Sequence, residues 1–300
     1  MTKGIYFAVI AAIISGISIF LNKFAVAAIS PPIVFTATKN LGVGLLILGL
    51  ILLTGKFRQI KKLSKKELFQ LSLIALIGGS LPFYLFFTGL SQVSAVNSAM
   101  IHKSLVFWVA ILALPLLKER LSRIQILAVV LLFISNYFIP GFSGFQFSRG
   151  ELFILIATIL WAGETILVKK LLPQIDPDIA LAFRMGLGSL ILIIASAVIY
   201  PGAIMKITAL NSTQWFWLLL TAVLLFSYVF TWYRALKYAS AILVSAILVS
   251  STLITNILSA IFINHSWSFI FSPPPYFIIF GLILLILSLS KRKDFFLQPE

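Results

Sequence analysis

Ten stretches of this sequence, at about 4–28, 33–53, 68–90, 94–116, 122–139, 151–171, 179–199, 214–236, 241–263 and 275–290, are almost continuously apolar and are joined by short polar breaks. An α-helix rises 1.5 Å per residue, so about 20 such residues cross a hydrocarbon layer about 30 Å thick. The pattern predicts an all-α membrane protein of ten transmembrane helices. Composition agrees: 61% of residues are hydrophobic, only 10% are charged, and the mean hydropathy is +1.10, whereas charged residues make up about 25% of soluble domains. The first run is too long for a signal-peptide core and is followed by Lys23 and Pro31 rather than a cleavage site, so it reads as the first span.

The net charge of +15 would suggest nucleic acid in a soluble protein. Here its placement matters more than its size, and no nucleic-acid partner is expected. Lys56, Arg58, Lys61, Lys62, Lys65 and Lys66 follow the second span, Lys118, Arg120 and Arg123 the fourth, and Lys291, Arg292 and Lys293 the tenth. Counting alternate crossings, these fall on one side with Lys3, Lys169, Lys170 and Lys237, against Arg149 and Lys206 on the other. The positive-inside rule then predicts that both termini are cytoplasmic. Cysteine is absent, and His102 and His265 are too few and too far apart for a metal cluster, so neither metal nor cofactor is expected.

The chain also repeats itself. The stretch around Gly78–Ser104 returns 146 residues later: Leu90 meets Leu236, Ser94 meets Ser240, Ala95 meets Ala241, Ile101 meets Ile247 and Ser104 meets Ser250, while Phe86 and Phe87 face Trp232 and Tyr233. Gly16 and Lys23 are echoed by Gly163 and Lys170 at a shift of 147, and Gly42 and Gly44 by Gly186 and Gly188 at 144. Five spans per copy is an odd number, which turns the second copy upside down: an inverted repeat. The expected organisation is a first half at 1–140, a Gly/Ser-rich linker at 141–150 and a second half at 151–300 with a short basic tail.

With these motifs in view, the sequence resembles the ten-helix EamA-type members of the drug/metabolite transporter superfamily. The resemblance rests on the junction YRALKYASAILVSAI at Tyr233–Ile247, its weaker twin FTGLSQVSAVNSAMI at Phe87–Ile101, and the turn LLKERLSRIQILAVVLLF at Leu116–Phe133 with Glu119. The second half departs from it, placing His265 in NHSWSFIFSPPP where Glu119 would recur. The resemblance implies a transporter that alternates between two faces.

Ionisable groups at membrane depth cost about 2.5–3.5 kcal/mol each and call for a reason. Lys103, about 13 Å of helix rise into the fourth span, is expected to face a central cavity, and Glu164 in the sixth span to meet either Lys103 or Arg184 across it. Lys39 and Arg184 occupy equivalent places in the second and seventh spans, and their roles are evenly balanced between structure and function. Lys23 and Arg234 lie near span ends and read as snorkelling side chains. Asn97, able to donate and accept, is a further cavity candidate. His102 points about 100° away from Lys103 and reads first as a packing residue. Ser15, Ser18 and Asn22 share one helical face that reads more readily as helix-to-helix glue than as substrate contact. Aromatic cavity surface is expected, by the resemblance, from Tyr84, Trp161, Tyr228, Trp232 and Tyr233, with Trp215, Trp217 and Trp267 as interface anchors. Pro82, Gly78 and Gly79 fit a gate.

These features point to a transporter of small organic metabolites in the cytoplasmic membrane of a prokaryote. The excess of deep cations favours carboxylate-bearing substrates such as amino acids, with export as the expected direction and cationic amines as the alternative. No enzymatic activity is expected, since intramembrane catalysis would need paired groups and Glu164 stands alone at depth. A channel would show a filter-like loop. The apolar fifth and tenth spans are left to face lipid or, in a homodimer, a second copy of the chain.

Overall fold

The computed structural model describes residues 2–138, 144–265 and 271–290. It is helical, with no strand among those residues. We number the main helices α1 (Lys3–Ala28), α2 (Pro32–Leu53), α3 (Lys65–Gln92), α4 (Ala95–Leu116), α5 (Arg123–Tyr137), α6 (Arg149–Leu171), α7 (Pro177–Ile199), α8 (Ser212–Tyr238), α9 (Ala241–Phe262) and α10 (Pro273–Ser290). Eight are long and apolar enough to cross a membrane, and α5 and α10 are shorter apolar helices. Helix α6 starts at Arg149, two residues inside the stretch expected to be linker. Linker residues 141–143, Trp267 and the basic residues 291–293 lie outside the described residues.

Helix starts follow capping chemistry. Ser64 with Glu67, Ser148 with Glu151 and Asn211 with Gln214 form reciprocal side-chain bonds at the first turns of α3, α6 and α8, satisfying amide groups that a helix start leaves unpaired. Ser94 and Ser240, paired by the repeat, both cap the helices that follow them. Ser104 and Ser250, also paired, both break a helix midway, and each hydroxyl donates at 2.7 Å to the carbonyl three residues back, Ile101 O and Ile247 O.

Packing follows the same two-fold relation. Helix α1 lies along α8, and its counterpart α6 lies along α3; α5 pairs with α10. Two half-buried lysine clamps tie these pieces together. Lys23 Nζ donates to Leu90 O (2.8 Å) and Val93 O (2.7 Å), and Lys169 Nζ donates to Leu236 O (2.6 Å) and Ala239 O (2.7 Å). Every partner is displaced by 146 residues, so the mate of Lys23 is Lys169 and not Lys170, and α1 aligns with α6 one residue away from the register read in sequence. Lys23 is also not snorkelling to water: carbonyls left open at the end of α3 take its ammonium hydrogens. Replacing either lysine with Met strands two carbonyls, so Lys23→Met and Lys169→Met should each cost about 1–3 kcal/mol. Lys170→Met should leave the melting temperature in detergent unchanged.

On the face where the basic loops gather, Lys56 bonds Asp176 (2.9 Å) and Asp178 (2.6 Å), and Asp178 accepts from Arg234 (2.7 Å). This cluster latches the α2–α3 loop to α7 and α8. Arg234 also lies 3.3 Å from the Phe230 ring centroid, so it is paired and stacked rather than extended to the interface. Burial pulls Lys56 down, but its hydrogen bonds to Asp178 and Asp176 outweigh that and hold it above the usual 10.5. For Asp176, burial pushes up and the Lys56 hydrogen bond pulls down, leaving it below the usual 3.8. The latch therefore contributes fully from about pH 4 to about pH 10. It fades below that window as Asp176 protonates and above it as Lys56 loses its proton. The stability difference between the native chain and Lys56→Met, followed against pH, should be flat between those limits and shrink outside them.

Candidate functional site

Between the two halves lies a cavity. Helix α1 supplies Ser15, Ser18 and Asn22, one residue per turn on one face. Helix α3 supplies Phe83, Phe86 and Phe87, helix α4 His102, and helix α6 Trp161, Glu164 and Thr165; Arg184 enters from α7, and Tyr228 and Trp232 from α8. At a shift of 146 the repeat pairs Ser15 with Trp161, Ser18 with Glu164 and Phe86 with Trp232. The two halves thus present matching positions with different chemistry: small and polar from α1, aromatic and acidic from α6.

The charged centre is Glu164 with Arg184. Both side chains are buried, at 1% and 4% exposure, and Arg184 Nε lies 3.7 Å from Glu164 Oε1. The hydroxyl of Tyr233 donates to the same oxygen. Arg184 Nε also donates to Gly78 O (3.3 Å), an acceptor shared with Trp161 Nε1 (3.0 Å), while Arg184 Nη1 is buried with no partner among the described residues. A spare carbonyl exists there because the residue four along from Gly78 is Pro82, which has no N–H to give it; beside it α3 adopts a π turn at Ala75–Ser80, opposite a second one at Phe183–Leu187 in α7. Such a turn shifts the hydrogen-bond ladder by one residue. His102 stacks edge-on against Trp161 and Phe86, with Nδ1 unpartnered. The site therefore offers a guanidinium with an unused donor, a carboxylate, an imidazole, hydroxyls and an amide within an aromatic wall.

The profile of the EamA-like transporter family matches residues 2–140 and again residues 148–290. The chain belongs to the EamA-like transporter family. It is 27% identical over 198 residues to a protein of Synechocystis sp. named "Uncharacterized transporter sll1164", a match covering 62% of this chain and 56% of that one. It is 28% identical over 191 residues to "Uncharacterized transporter YyaM" of Bacillus subtilis strain 168, covering 61% of each. The chain thus spans less than two thirds of the length of these curated relatives. A solved crystal structure shares the fold at a TM-score of 0.70 and 14% identity, covering 93% of this chain and 98% of that one.

Of the residues that sequence reasoning placed in the cavity of this EamA-family chain, Glu164, Arg184, Trp161, His102, Tyr228 and Trp232 line it. Lys103 does not: it is buried against α1 and donates to Ser15 Oγ (2.9 Å), so Glu164 pairs with Arg184. Lys39 sits one layer behind, donating to Asn22 Oδ1 (3.0 Å) with its ammonium 3.4 Å from the Phe87 ring centroid. Asn97 is in the first turn of α4, too near the helix end for the cavity, and donates to Gly144 O and Glu151 Oε1. Tyr84 is not among the lining residues, because Phe83, Phe86 and Phe87 take that face of α3 and leave it turned aside. Ser15, Ser18 and Asn22, read in sequence as glue, line the cavity, and Ser15 and Asn22 also hold the two lysines behind it. Gly78 and Gly79 are contact points: a Cβ on Gly78 would meet Glu164 Cγ at 2.5 Å, and one on Gly79 would meet Arg184 O at 1.7 Å. Pro82 lies in the first turn where α3 resumes, a position that tolerates a missing N–H.

Proposed function

We propose that the chain is an alternating-access exporter of small carboxylate-bearing metabolites, amino acids foremost, in the cytoplasmic membrane of a prokaryote. On this reading ten helices span the bilayer as two inverted five-helix halves, 1–140 and 151–300, with both termini cytoplasmic. The observation that carries it is Arg184: its guanidinium lines the cavity, Glu164 meets it on one edge only, and Nη1 is left without a partner among the described residues. A buried unpaired N–H is costly, and a carboxylate is the acceptor that best answers a guanidinium. Trp161, Trp232 and Tyr228 supply apolar surface for the rest of the molecule, and Glu164 and Asn22 are placed to take an ammonium group. The salt latch closes the basic face, so a change of access would break it and close the opposite face in its place.

Ligands that bind the folded state raise apparent stability. Purified protein melted with amino acids, organic acids and amines should be stabilised by the carboxylate-bearing compounds, and the same compounds should support saturable counterflow in liposomes. Stabilisation by amines alone would move the substrate onto Glu164 and favour a carrier of cations.

A further inference from the structure

A second void, larger than the cavity and partly open, lies beside the α8–α9 junction and the turn after α4, against α5 and α10. It shares no lining residue with the central cavity. Its rim carries Arg120, Lys169 and Lys237. Arg120 and Lys237 are exposed, and among the described residues neither forms a salt bridge. Lys169 spends its ammonium on two carbonyls but keeps its charge at the edge of the void. The one acid on the rim, Glu119, is already engaged: its two oxygens accept from Ala241 N (2.7 Å) and Ile242 N (3.0 Å) at the start of α9. Those neutral amides leave Glu119 its charge, so three cations face one carboxylate and the rim is cationic on balance.

Below the rim the wall changes character. Val129 of α5, Ile242 of α9 and Leu285 of α10 are buried and apolar, and the outward residues of the same two peripheral helices, such as Ile126, Leu127, Ile279 and Ile283, are exposed. The void thus pairs a cluster of cations with an apolar wall beside helices whose outer faces suit hydrocarbon.

The geometry points to a binding site for an anionic phospholipid, with its phosphate among Arg120, Lys169 and Lys237 and an acyl chain along Val129, Ile242 and Leu285. Basic pockets between membrane helices attract anionic headgroups, each cation adding to the affinity. A free phosphate would meet the same cations but gain nothing from the wall, and a zwitterionic lipid would gain the wall while losing most of the attraction. The site lies where the junction of the second half meets the turn after α4 of the first, so a bound lipid would brace the two halves together.

The test uses the full chain in detergent, melted with phosphatidylglycerol, with phosphatidylcholine of the same acyl chains, and with inorganic phosphate. Phosphatidylglycerol alone should raise the melting temperature by several degrees. The exposed pair Arg120→Gln/Lys237→Gln should weaken that binding about tenfold, while Arg120→Lys/Lys237→Arg, which keeps both charges, should bind as the native chain does. An equal shift with phosphatidylcholine would overturn recognition by charge, and an equal shift with phosphate would make this an anion site rather than a lipid site. Unchanged affinity in the Gln pair would remove the headgroup from this rim.

Discussion

Arg184→Met should abolish counterflow of carboxylate substrates and lower stability by about 3 kcal/mol, the low end of what breaking a buried ion pair costs. The low end applies because the Arg184–Glu164 contact is long, at 3.7 Å. The variant leaves Glu164 at 1% exposure with only Tyr233 to answer its charge. Adding Glu164→Gln removes that stranded charge, so the double variant should regain most of the lost stability without regaining transport. A cycle of melting curves and counterflow on the two single variants and the double separates the roles. A single Arg184→Met protein as stable as the native chain would show that the pair does not brace the fold, and normal transport by the double variant would remove the substrate from this site.

Gly79→Ala should be the most damaging single-methyl change in the molecule. The added Cβ would stand 1.7 Å from Arg184 O and 2.8 Å from Arg184 C, and these are backbone atoms of α7 that no rotamer change can clear. Gly188 packs reciprocally, its own Cβ position lying 2.8 Å from the Gly79 backbone. Overpacking typically costs about 1–3 kcal/mol where side chains can give way, and a clash between two backbones should exceed that. Separating α3 from α7 would also draw the Arg184 guanidinium out of the cavity, so any protein that still folds should fail to transport. Gly163→Ala is the control. Nothing lies within 4 Å of its Cβ position, and alanine in a helix interior gains about 1 kcal/mol over glycine. Expression and melting temperature should fall sharply for the first variant and hold or rise for the second.

The helices and the repeat were legible in the sequence because length, spacing and hydropathy are one-dimensional. Direction around each helix was not. A step of one residue turns a side chain by about 100°, and that step separates the 147-residue register, which matched Lys23 to Lys170, from the 146-residue register of the clamps. In the shifted register Trp161 and Glu164 stand opposite Ser15 and Ser18, an equivalence that marks these two serines as cavity residues. The signal was present: the junction from Leu90 to Ser104 already repeated at 146, and carrying that number back to α1 would have found Lys169. Depth alone likewise sent Lys103 to the cavity, although its neighbour across the interface is Ser15. Asn97 was misplaced for a different reason, since the first turn of α4 lies at a helix end, where an amide has loop carbonyls and the Glu151 carboxylate to meet.

The salt latch of Lys56, Asp178 and Arg234 has no image across the two-fold relation. The corresponding positions fall at Gly202, in the stretch from Pro32 to Val34, and at Thr88, none of them charged. Under the alternating access proposed above, a carrier made of identical halves would spend equal time open to either side, whereas here the ion pairs among the described residues secure the basic face and the repeat-related positions carry no charge to form their counterpart. On that proposal the resting occupancy would be unequal and, because partly exposed pairs are screened, adjustable: rising salt on the basic side would loosen one closure and leave its counterpart untouched.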